Sequence, residues 1–137
     1  MIRAVIDTNV LVSALLSPSG NEALIVLAIS QGLVTPCLSD EILGEYEGVL
    51  SREKFSFPRD EVEAMTRLLR QKGEIVVPDS LLSNLPDPGD EKFVACAHAA
   101  DADFIVTGNK RHFPADRCGV TIVSGAEFLD RMTLDLL

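Results

Sequence analysis

Short apolar runs rich in β-branched residues alternate along this chain with longer stretches whose apolar positions recur at helical spacing. Ile2-Arg3-Ala4-Val5-Ile6 is the first such run, and it ends abruptly in Asp7-Thr8-Asn9. Val10 to Leu16 follows at helical spacing, so the pattern predicts a buried strand, a turn at Asp7 and a helix. Ser17 to Gly20 reads as a loop, and Asn21 as the cap of a second helix from Glu22 to Gln31, closed by Gly32. Leu33 to Leu38 predicts a second strand, whose end Pro36 weakens or places at an edge. Ser39 is expected to cap a helix from Asp40 to about Leu50. After a loop to Pro58, Asp60-Glu61-Val62-Glu63 reads as a capping box opening a helix that stops at Gly73. Glu74 to Val77 predicts a third strand, Asp79 to Gly89 a loop, and Asp90 to Ala100 a helix of mostly small residues. Phe104 to Thr107 predicts a fourth strand, Gly108 to Arg117 a loop, and Val120 to Val123 a fifth strand. Ser124-Gly125-Ala126-Glu127 is a second capping box and opens the last helix. Strands that alternate with helices in this way predict a parallel sheet covered on both faces. No repeat or linker divides the chain, so residues 1–137 are expected to form one domain.

Composition narrows the picture. A hydrophobic content of 47% without low-complexity runs is that of a globular protein. The longest apolar run, Ala23 to Ile29, is too short to span a bilayer. Asp7 interrupts the region a secretory signal would need, so a cytoplasmic protein without membrane contact is expected. Cys37, Cys96 and Cys118 are scattered and lack metal-ligand spacing, which argues against zinc and for small buried hydrophobes. Twenty-one acids against twelve lysines and arginines give a net charge of −9. Non-specific nucleic-acid binding needs a basic surface, and this chain has none overall. A nucleic-acid substrate would require bound cations or local lysines and arginines.

Four acidic or polar stretches carry the candidate chemistry. In an open α/β sheet, ligands bind outside the carboxyl ends of the strands, where Asp7, Thr8 and Asn9 would stand; Asp7 equally suits a plain helix cap. On the helix Asp40–Leu50, the residues Ile42, Leu43, Tyr46, Val49 and Leu50 form an apolar stripe. Glu45 flanks that stripe, and Glu41 lies further round towards solvent. Asp87-Pro88-Gly89-Asp90 precedes a helix whose buried face includes Phe93, Val94 and Ala97. The fourth strand ends in Thr107-Gly108-Asn109, as the first ends in Asp7-Thr8-Asn9, with Lys110, Arg111 and His112 close by. Converging carboxylates raise one another's pKa, and a divalent cation relieves that. Oxygen ligands favour Mg²⁺ or Mn²⁺, which could activate water for attack on a phosphodiester.

These stretches resemble the PIN-domain ribonucleases, specifically the VapC-like toxin components of bacterial toxin–antitoxin pairs. The resemblance rests on Val5-Ile6-Asp7-Thr8-Asn9-Val10, Ser39 to Leu50 with Glu45, Asp87 to Phe93, and Ile105-Val106-Thr107-Gly108-Asn109, in that order. It implies a three-layer α/β/α sandwich and metal-dependent endonucleolytic cleavage of RNA, leaving 5′-phosphate and 3′-hydroxyl ends. Asp7, Glu45 and Asp90 carry over as catalytic, metal-binding acids. Thr8, Asn9, Thr107 and Asn109 become supporting residues, and Asp87, Glu41 and His112 further candidates. Many relatives have Asp where this chain has Asn109, so a second tightly held metal is put in doubt. The expected partners are an RNA substrate, a cognate antitoxin and a second copy of the chain. A non-catalytic PIN-like interaction or RNA-binding domain is the alternative, and a flavodoxin-like domain with Asp7 as phospho-acceptor a weaker third.

Overall fold

A computed structural model describes residues 1–79 and 85–136. Among these, strands β1 (Ile2–Ile6), β2 (Val34–Leu38), β3 (Glu74–Ile75), β4 (Phe104–Val106) and β5 (Thr121–Val123) form one sheet in the order β3-β2-β1-β4-β5. Every neighbouring pair is parallel, with Val5 opposite both Cys37 and Ile105. Parallel strands need crossovers, and helices α1 (Thr8–Leu16), α2 (Asn21–Ser30), α3 (Asp40–Leu50), α4 (Arg59–Lys72), α5 (Glu91–Ala99) and α6 (Ala115–Cys118) supply them. Helix α7 (Gly125–Leu136) follows β5. Helix α2 packs against β2, α1, α4 and α7 in one layer, while α5 lies on β1, β2 and β4 in the other. The result is the expected α/β/α sandwich. The central strands carry residues buried from both sides, among them Ala4, Val5, Ile6, Ile105 and Val106.

Helix α3 touches α1, α4 and α5, and so bridges the two layers where the strands end. Its start is set by Ser39, whose hydroxyl accepts the Ile42 N–H at 3.2 Å. Its buried stripe is Ile42, Leu43, Tyr46 and Leu50, and the Tyr46 hydroxyl donates to the Ile6 carbonyl at 2.5 Å. That bond fixes α3 against the last residue of β1. Arg3 on β1 reaches across β2 to Glu74 on β3 at 2.6 Å. Cys37, Cys96 and Cys118 are buried free thiols, and burial pushes Cys96 up to about 12. Among the described residues no single helix is long and apolar enough to cross a membrane.

Several boundaries differ from the sequence expectation. Helix α2 begins at Asn21 rather than being capped by it, because the Gly20 carbonyl already accepts the Leu24 N–H. The capping box expected at Asp60–Glu63 shifts likewise. The Pro58 carbonyl accepts from Glu61 and Val62, so α4 starts at Arg59, and Glu63 pairs with Arg59 at 3.2 Å instead of capping. Strand β3 is two residues long; Val76 still donates to the Leu38 carbonyl, but Pro78 has no N–H to extend the ladder. Strand β4 ends at Val106, one residue before Thr107. The loop expected over Gly108 to Arg117 contains a 3₁₀ turn, Lys110–His112, and the start of α6. Residues 80–84 of the expected loop from Asp79 to Gly89 lie outside the described residues.

Candidate functional site

The pairing of β1 with β4 decides what meets at the carboxyl edge. The Asp7 amide donates to the Val106 carbonyl at 2.9 Å, which brings Asp7 beside Thr107. Asp7 takes the N-cap position of α1 but makes no side-chain cap hydrogen bond. Its Oδ2 instead accepts the Thr107 hydroxyl at 2.8 Å, and the Thr107 oxygen in turn accepts the Asn109 N–H at 3.0 Å. The Asn109 amide therefore orients the hydroxyl whose proton goes to Asp7. Two residues further on, Asn9 Oδ1 accepts the Gly108 N–H at 3.1 Å and joins the two strand exits. Asp7 is only 7% exposed. Burial above all, then the charges of Asp90 and Glu45 against the Thr107 bond, push its carboxyl up to about 6.

Asp90 was expected to open α5. The structure puts Pro88–Asp90 in a 3₁₀ turn capped by Asp87, whose carboxylate accepts the Gly89 N–H at 2.9 Å. Because Asp87 makes that bond, the Asp90 carboxylate is free to face the edge, and it makes no cap bond to α5. Burial raises its pKa, as does the Asp87 charge, against the pull of His112. His112 Nδ1 approaches Asp90 Oδ2 to 3.1 Å, within ion-pair range. The approach lacks hydrogen-bond geometry, so among the described residues the buried Oδ2 has no hydrogen-bond partner. Such an atom costs free energy unless a partner arrives.

Glu45 lies on α3, half-buried, while Glu41 one turn earlier is exposed. The Thr8 hydroxyl donates to Glu45 Oε2, and the Lys92 ammonium meets Oε1 at 2.7 Å. Among the described residues, the trio whose ligand atoms all lie within 4.8 Å of one another is Asp87, Asp90 and His112. Asp7 and Glu45 stand outside that trio, near enough for their charges to act on Asp90 and on each other. Lys92 had no assigned role in the sequence reading. The signal for it was a lysine directly before Phe93 and two residues after Asp90, at the edge of the buried face of α5. The donor set of carboxylate oxygens with one imidazole, and an orphaned Asp90 oxygen, fits a hard divalent cation.

The fold and this edge define a class: an open parallel α/β domain with an acidic cluster where its central strand and the next one end. Within that class the chain belongs to the PIN domain family, which it matches over residues 3–111. Its fold is similar to that of a chain in the crystal structure of VapBC2 from Rickettsia felis bound to a DNA fragment from their promoter. The TM-score is 0.60 at 15% identity, covering 90% of this chain and 98% of that one. No curated protein sequence matches the chain.

Proposed function

We propose that this protein is a metal-dependent endoribonuclease and the toxin half of a toxin–antitoxin pair. The observation that carries the reading is the meeting of two acids, Asp7 and Asp90, at the carboxyl edge of β1 and β4, the second with an Oδ2 that has no hydrogen-bond partner among the described residues. Asp7, Glu45 and Asp90 would hold Mg²⁺ or Mn²⁺, with Asp87 and His112 beside Asp90. A bound ion supplies Lewis-acid stabilisation of the charge that develops on a phosphodiester during hydrolysis. The chain's own residues prepare for that chemistry. Thr107 orients Asp7, Thr8 orients Glu45, and Asn9 holds the two strand exits together. Asn109 offers a neutral side chain where many relatives have a fourth acid, which favours one tight metal over two. Membership of the PIN domain family supports the nuclease reading. The VapBC2 fold neighbour supports a cognate antitoxin as partner.

Incubation of an unstructured RNA with Mn²⁺ tests this directly. Wild type should yield 5′-phosphate and 3′-hydroxyl ends, and chelator should stop the reaction. Asp7→Asn and Glu45→Gln should each slow cleavage at least about a hundredfold with the fold intact, and Glu41→Gln should not. Expressed without its neighbouring gene, the wild type should arrest growth and Asp7→Asn should not. A non-catalytic interaction domain would bind the RNA and leave it whole, and equal cleavage by wild type and Asp7→Asn would remove the site from Asp7.

A further inference from the structure

Lys92 stands where the acidic edge meets the groove beside it. Its side chain is only 15% exposed, and its ammonium meets Glu45 Oε1 at 2.7 Å and donates to the Gly89 carbonyl. The Phe93 ring lies 5.4 Å away. The other Glu45 oxygen accepts the Thr8 hydroxyl. Both oxygens of Glu45 are thus engaged by donors of this chain. Two cations that share one carboxylate oxygen repel each other strongly in a partly desolvated site.

We propose that Lys92 is a tethered counter-cation for the metal centre, neutralising Glu45 in the metal-free protein and giving it up only when a divalent ion displaces it. The inference rests on the metal-dependent reading above. The fold offers the displaced side chain a second seat. Lys92 also lines an adjoining groove of about 500 Å³, whose wall includes Asp40, Glu41, Asp79 and Glu91. An ammonium turned away from Glu45 therefore meets carboxylates again, and the exchange has a low electrostatic cost. Lys92 is accordingly a positioning residue: it acts through Glu45 and sets how tightly metal binds.

Calorimetric titration with Mn²⁺ separates this from a merely structural role. Displacement predicts that Lys92→Met binds Mn²⁺ about tenfold more tightly than wild type, and that Lys92→Arg, which keeps the charge, stays within about threefold. Metal-free Lys92→Met should melt below wild type, because Glu45 then faces Asp7 and Asp90 without its counter-charge, and Mn²⁺ should close that gap. A lysine that only props α5 predicts weaker or unchanged Mn²⁺ binding in Lys92→Met, and either result overturns the inference. The metal reading fails in a different way: wild type would show no Mn²⁺ binding that Asp7→Asn removes, and the inference would fall with it.

Discussion

Asp7 occupies the position of a helix cap without acting as one. Its carboxylate turns to Thr107 and towards Asp90, so α1 forgoes a capping bond worth about 1 kcal/mol. Burial, with Asp90 and Glu45 near, raises the carboxyl from 3.8 to about 6. A raised folded-state value means that the native protein holds the proton more tightly than the unfolded chain. The associated stability is full below about pH 4 and is lost as pH rises through about 6. Metal-free Asp7→Asn should therefore be more stable than wild type at pH 8, by up to about 3 kcal/mol. The advantage should shrink to nothing towards pH 4, as urea unfolding in chelator would show; a difference independent of pH would contradict it. Saturating Mn²⁺ should favour the wild type again, because the Asp7 carboxylate is a ligand in the proposed metal site and Asn is a weaker donor.

At the scale of elements, one glycine sets how closely α4 can approach the sheet. A Cβ on Gly73 would lie 2.4 Å from the Leu69 carbonyl oxygen and 2.9 Å from that of Pro36. Neither backbone atom can move without shifting α4 or β2. Gly73→Ala should cost about 2–4 kcal/mol in chemical unfolding, although its φ of −88° suits alanine, and a loss below about 0.5 kcal/mol would refute the packing argument. Periodicity made the strands and the face of α3 legible: Tyr46 is buried, Glu45 half-buried and Glu41 exposed, as the apolar stripe implied. The ends of elements were less legible. Several polar residues near each start compete as caps, and α4 starts just after Pro58, whose carbonyl accepts from Glu61 and Val62. The parallel endings at Asp7 and Thr107 pointed to one shared edge because two neighbouring strands stop together. The grip of Lys92 on Glu45 joins α5 to α3 across long sequence separation, and no local pattern encodes such a pair.

The whole molecule carries a net charge of −9, so the edge repels a phosphate backbone until cations are added. RNA retention on filters, read within seconds of mixing, should be at least about tenfold higher in Mn²⁺ than in chelator. Equal retention in both would assign binding to basic side chains instead, such as exposed Arg111. The match to the PIN domain family stops at residue 111, but the sheet does not. Lys110 is anchored at 2.9 Å to Glu127, whose carboxylate also accepts the Ser124 N–H and is held down to about 2. Phe128 packs edge-on against Phe104 with ring centres 5.8 Å apart, and β5 pairs along β4. A chain cut after residue 111 would therefore leave β4 as a bare edge and Phe104 uncovered. Bare edges of this kind recruit other chains into aggregates.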